Sequence, residues 1–251
     1  MNSKQIRIFG DSHCATMKRV WMPARNAAPF NRISSINMLA AATAFYEPFF
    51  RIEAGRIRLT TPLFEGRLAG LCDENAFLIE DDSDLLISLG LHTNTFLNSQ
   101  LLYQHMPYFC APEKRHPFIS TAAIASIVTH YHRHVLAFLD VLIARGQSVT
   151  VLSAPPPTRR FALLSRGFSP ASVIRLDRLA REAMMTEFAR RNIAVIRPPE
   201  GTRDADGFLL EQYLIEDEKD PHHGNMDYSR EFLLKILREH DQDRQPAAAM
   251  R

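Results

Sequence analysis

Short apolar runs alternate with segments of helical periodicity along most of this chain, and that alternation restricts its fold more than any other feature. Ile6-Arg7-Ile8-Phe9 reads as a first strand over about residues 5–9; Met17, Val20, Trp21 and Ala24 then fall at helical spacing from about residue 13. Within the ambiguous stretch 29–50, residues 32–38 read as a strand, and residues 56–61 alternate with period two, as a half-buried strand does. A short helix is expected after Gly66. The run Leu85 to Leu89, entered from acidic residues and closed by Gly90, suits a buried parallel strand. Residues 120–145 give the clearest helix: Ile124, Val128, Tyr131, Val135, Phe138 and Leu142 share one stripe, and Gly146 ends it. Val149 to Leu152 is the next strand, stopped by Pro155-Pro156-Pro157. A helix through Val173, Leu176, Ala180 and Phe188, a strand at Ile193 to Ile196 and a final helix through Tyr228, Phe232 and Ile236 complete the pattern. It implies an α/β fold, a three-layer α/β/α sandwich with a mainly parallel sheet of about five strands. One domain is expected over residues 1–240, with 241–251 as a frayed tail.

Composition narrows the partners. A net charge of +2 without a Lys/Arg block argues against a nucleic-acid surface. The three cysteines form no CxxC pair, so neither a zinc ribbon nor a disulfide framework is suggested, and a reducing compartment is the simpler reading. The N-terminus enters a strand without the apolar core of a signal peptide. No apolar run approaches the roughly 20 residues that a membrane helix needs. A cytoplasmic protein without a membrane span is expected.

In an open parallel sheet, ligands bind outside the carboxyl ends of the strands. That rule gathers Ser12, Gly90 and the Ala154 to Pro157 loop on one edge. Ser12 lies in Gly10-Asp11-Ser12-His13, on the turn from first strand to first helix. Backbone N–H groups at a helix start favour negative charge, which suits a nucleophile whose reaction builds an oxyanion. A serine nucleophile needs a base, and the base an orienting acid. Asp220-Pro221-His222-His223 precedes the last helix and supplies both: a spacing of three brings Asp220 against His223.

With these residues the chain resembles the SGNH/GDSL hydrolase superfamily, as a divergent member. Phe9-Gly10-Asp11-Ser12-His13 matches its first block, Gly90 and the following Leu91-His92-Thr93-Asn94 stand at the third, and Asp220-Pro221-His222-His223 matches the last. The resemblance implies a flavodoxin-like sheet and ester hydrolysis with Ser12 as nucleophile, His223 as base and Asp220 as its orienting acid. It further implies an oxyanion hole made by the Ser12 N–H, a second-block glycine and a third-block asparagine. Here the chain departs: the usual Gly-x-Asn reads Gly90-Leu91-His92. Either His92 donates or the loop is longer and Asn94, the preferred candidate, reaches the site. Gly66 is the candidate second-block glycine. Asp11, His13, Gly90 and His222 are expected to border the substrate. No metal or organic cofactor is expected, and the substrate is a small-molecule or carbohydrate ester, with acetyl as the favoured acyl group by fold-level analogy.

Each residue also has a plainer reading. Ser12 would serve as a helix cap, Asp11 as a turn-shaping acceptor, and Asp220 as one of a solvated acidic run. His222 competes with His223 as base. His130, His132 and His134 do not share one helix face and lack an HExxH glutamate, so a polar helix margin is preferred to a metal site. Cys14 on a helix points away from Ser12 and reads as a buried small side chain. Arg159 and Arg160 either touch substrate or sit in a stiff solvated loop. An O-acyltransferase acting on a sugar, or a non-catalytic carbohydrate-binding or interaction module, are the alternatives to hydrolysis.

Overall fold

In the computed structural model, which describes residues 4–60, 70–107, 109–110 and 118–242, strand β1 (Ile6–Gly10) is buried at every residue. Helix α1 (His13–Ala24) and strand β2 (Ile33–Met38) follow. β3 (Phe50–Glu53) and β4 (Arg56–Leu59) then form an antiparallel hairpin. β5 (Asp84–Ser88) is again wholly buried. The short helices α2 (Asn94–Leu97) and α3 (Gln100–Gln104) lead to a two-residue parallel pairing of β6 (Met106–Pro107) with β7 (Phe118–Ile119). The order ends with α4 (Thr121–Tyr131), α5 (Arg133–Ala144), β8 (Val149–Leu152), α6 (Ala162–Ser165), α7 (Pro170–Arg190), β9 (Ala194–Ile196) and α8 (Met226–Gln242).

The main sheet has five parallel strands in the order β2-β1-β5-β8-β9. Side chains alternate across it, because successive residues of a strand point to opposite faces. Phe9, Leu85, Ile87 and Val151 join one core with Val135 and Phe138 of α5 and Leu176 and Phe188 of α7. Ile6, Ile8, Leu86 and Leu152 join a second core with Met17 and Trp21 of α1 and Phe232 and Ile236 of α8. These two cores make the expected α/β/α layers. From β1 the chain turns to β2 on one side and later crosses to β5 on the other. The loops after β1 and β5 therefore part, and a crevice opens between them at the carboxyl edge.

The half-buried strand expected at residues 56–61 is β4 of the β3–β4 hairpin, outside the main sheet; Ile57 and Leu59 are buried against the first core while Arg56 is exposed, as period two implies. Two expectations change. The helix expected over 120–145 divides at His132, although His132 N–H still donates to Val128 O and Leu136 N–H to His132 O. Its imidazole is buried and packs on His92, so His132 is not on a polar margin, whereas His130 is exposed. The tail expected from 241 begins inside α8; residues 243–251, like Gly66 and the start of the helix expected after it, lie outside the described residues. Among the described residues, no helix is long and apolar enough to cross a membrane.

Candidate active site

The turn after β1 is fixed by close packing. A Cβ at Gly10 would stand 2.4 Å from Ser88 O, so only glycine lets β1 end this near β5. Asp11 N–H then donates to Ser88 O, and Asp11 Oδ1 accepts the His13 N–H at 3.1 Å, which sets the start of α1. Burial works to raise the Asp11 carboxyl, but the facing His13 and His92 imidazoles and the His13 N–H outweigh it and bring it down to about 2. Ser12 stands at the mouth of α1 with helical φ and ψ, and its side chain makes no cap hydrogen bond. Cys14 is fully buried, and burial pushes its thiol well up.

The loop before α8 brings the remote partners. Asp220 Oδ1 accepts the N–H groups of His222 and His223 at 3.2 and 3.1 Å, and Oδ2 lies 2.7 Å from His223 Nδ1. His223 Nε2 lies 2.7 Å from Ser12 Oγ. A proton on Nδ1, donated to Asp220, leaves Nε2 as the acceptor for the Ser12 hydroxyl. Burial raises the Asp220 carboxyl, and the opposing pull of His223 and the two N–H donors holds it below its ordinary value. The loop is itself anchored: Thr158 Oγ1 donates to Pro221 O, and Arg160 Nη1 donates to Ile215 O and Asp217 O. Asn225 Oδ1 accepts the Tyr228 N–H and caps α8.

The loop after β5 completes the edge. Gly90 turns the chain at φ +87°, where a Cβ would also approach Phe188 Cζ at 3.1 Å. His92 Nδ1 lies 3.3 Å from Asp11 Oδ2, too poorly aimed for a hydrogen bond but close enough for electrostatic attraction. Its ring meets His132 edge-on at 4.9 Å and stacks near Tyr46 at 6.4 Å. Asn94 Oδ1 accepts from Asn98 Nδ2 at 2.6 Å, which leaves Asn94 Nδ2 as the outward donor. His92, Thr93, Asn94, His13, His222 and Pro155 to Pro157 border one small cavity of about 10 Å3. The His13 ring is 4.7 Å from His223, and His222 is 4.0 Å from it. Burial, and then the neighbouring histidines, lower His13 to about 3 and His222 to about 4, against the pull of nearby carboxylates. Both are neutral at pH 7.

Arg181 of α7 braces two of these loops. Its Nε donates to Asp177 Oδ2 at 2.9 Å, its Nη1 to Ser153 Oγ and Ala154 O, and its Nη2 to Pro155 O. Asp177 in turn accepts the Thr93 hydroxyl. The proline loop is thus a buried wall of the cavity rather than a stiff solvated loop. Arg159 turns away to Asp204 and Asp206, and Arg160 to the backbone before Asp220.

Ser12, Asp220, His223, Asp11, His13, His92, Asn94 and His222 therefore meet at one edge, although they come from three remote segments. Tyr46, Thr158 and Arg181 are not among the residues expected from the sequence, and His132 was expected on a polar helix margin. His132 had a signal, since it sits four residues from each of Val128 and Leu136 on the buried row. Asp220, His222 and His223 also offer ligand atoms within 4.8 Å of one another. Both His223 nitrogens are already engaged, so a cation there would take the serine's acceptor.

No protein-family profile matches the sequence, and no curated protein sequence matches it. Solved structures do match. A protein assigned as an acylhydrolase, from Bacteroides fragilis NCTC 9343, superposes with a TM-score of 0.52 at 8% identity, covering 96% of this chain and 88% of its own. A GDSL-like lipase from Bacteroides thetaiotaomicron VPI-5482 gives 0.51 at 9% identity, covering 96% and 89%. The chain has the SGNH/GDSL-hydrolase fold. In this SGNH fold the crevice between the loops after β1 and β5 is where Ser12 and the His92–Asn94 segment stand, and the Asp220–His223 loop closes over it from α8.

Proposed function

We propose that this SGNH-fold protein is a serine acylhydrolase that removes a small acyl group from a polar or carbohydrate acceptor. The observation that carries the reading is the unbroken line from Ser12 Oγ through His223 to Asp220, with both hydrogen bonds at 2.7 Å. Ser12 Oγ attacks the ester carbonyl as His223 Nε2 takes its proton. Asp220 fixes the tautomer and stabilises the imidazolium. The tetrahedral intermediate collapses by breaking the ester C–O bond, and His223 returns the proton to the departing alkoxide. Water then attacks the acyl-serine by the same route and releases the carboxylic acid and Ser12. Neutral His13 and His222 leave His223 as the ring that carries charge through this cycle.

The oxyanion falls to neutral donors. Asn94 Nδ2, with its Oδ1 occupied by Asn98, is the donor. The Ser12 N–H is the second. The cavity bordered by His13, His222, Asn94 and Pro155 to Pro157 is small, about 10 Å3, room for about one water. Rigid proline walls favour acetyl over long acyl chains.

Turnover of p-nitrophenyl acetate tests the reading. Ser12→Ala and His223→Ala are each expected to lose about 10⁶-fold in kcat. Retention of wild-type turnover by Ser12→Ala overturns it.

A further inference from the structure

A second cavity, of about 310 Å3, opens on the same edge of the sheet beyond the Arg181 brace. Leu91 follows β5, Ser153 follows β8, and Arg197 and Pro198 follow β9; α7 forms the other wall with Ile174, Arg178, Arg181 and Met185, and Arg203 closes the rim. Its volume falls at the lower end of small-molecule sites.

The charges around it do not cancel. Asp177 is taken by Arg181 and by the Thr93 hydroxyl. Glu182 faces Arg178 at 3.6 Å. Arg197 and Arg203 have no carboxylate within ion-pair distance among the described residues, and both also line the adjoining cavity of about 560 Å3. There Lys235 is paired with Glu239, and Glu200 makes no ion pair among the described residues. Partial burial of the Arg203 guanidinium, and then repulsion from Arg181, lower its pKa. Arg197 and Arg203 are exposed at the rim, and with the apolar wall of Leu91, Ile174, Met185, Val195 and Pro198 they present two guanidinium forks without a carboxylate partner beside a surface that suits an apolar body.

We propose that this cavity is an anion site, separate from Ser12, that binds a small organic phosphate or carboxylate with an apolar body through Arg197 and Arg203. The inference does not rest on the esterase reading, because none of these groups takes part in that chemistry.

Calorimetric titration of the full chain with phenyl phosphate, benzoate and inorganic phosphate, at matched ionic strength, tests it. Saturable binding of phenyl phosphate or benzoate with a Kd below about 1 mM is expected, and the tighter of the two identifies the anion. Arg197→Ala and Arg203→Ala should each weaken it by about tenfold, as loss of a charge-assisted hydrogen bond does. Ser12→Ala should bind as the wild type does, whatever its activity. Absence of saturable binding, binding untouched in the double arginine variant, or binding lost in Ser12→Ala each overturns the proposal. Inorganic phosphate binding as tightly as phenyl phosphate overturns the organic body.

Discussion

Thr158 donates its hydroxyl hydrogen to Pro221 O, across 63 residues of sequence, and accepts the Arg160 N–H on the same oxygen. The residue after the proline wall thereby holds the loop that carries Asp220 and His223. Thr158→Val keeps the shape and removes both bonds. It should cost about 1–3 kcal/mol, the range for leaving buried polar groups unpaired, and lower kcat more than it changes KM. Thr158→Ser should restore both. Urea unfolding and steady-state kinetics on the three proteins check this; equal kcat in wild type and Thr158→Val would detach the loop's position from Thr158.

The oxyanion assignment separates two neighbours. Asn94→Ala should reduce kcat by about 10²–10³-fold, the effect of removing one such donor. His92→Ala should reduce kcat less while lowering the melting temperature, because Asp11 loses a facing ring. Kinetics and thermal melts on both variants decide; the larger kcat loss in His92→Ala would make the imidazole the donor.

Acid should destabilise the fold well above the carboxylate range. His13 titrates at about 3 when folded and near 6.5 when unfolded. Between these values the unfolded chain binds the extra proton, so stability falls as pH drops from 6.5 toward 3. At pH 4.5 the loss from His13 is on the order of 2 kcal/mol. His222, at about 4, acts in the same direction. Asp11, lowered from 3.8 to about 2, holds its contribution above 3.8 and loses it only as pH falls toward 2. Urea midpoints at pH 7 and 4.5 should therefore differ less in His13→Asn than in the wild type; an equal difference would mean that His13 takes up its proton without unfolding.

Arg181 and Asp177 form a largely enclosed pair, with side chains 12% and 10% exposed. Arg181→Met leaves the Asp177 charge without its partner and should cost about 3–5 kcal/mol. Arg181→Lys keeps the charge but not the planar fork, so it should recover only part. Chemical denaturation of the two variants measures this, and a full rescue by lysine would show that charge alone braces the loops.

The layered fold was legible chiefly because β5 and β8 are short apolar runs with a breaker close behind, Gly90 after β5 and Pro155 after β8. Period two in residues 56–59 announced a half-buried strand but carried no information on which strand it would pair with. Ser12 and the pair Asp220 and His223 stood out because each has a local pattern: a strand-to-helix turn, and a spacing of three before a helix. Thr158 and Tyr46 have no such local mark, and although Asp177 stands four residues before Arg181, the carbonyls that Arg181 grips lie far from it in sequence. Their roles come from partners far along the chain, as with Thr158 and Pro221, and only packing brings those together. His132, expected on a polar helix margin, instead stands four residues from both Val128 and Leu136 on the buried row.

The Arg181 brace grips carbonyl oxygens at Ala154 and Pro155, and every residue type carries a carbonyl. The side chains at 154 and 155 are thus not part of the fastening. Those side chains can be exchanged, reshaping the cavity wall, while the helix keeps the backbone of that wall in place.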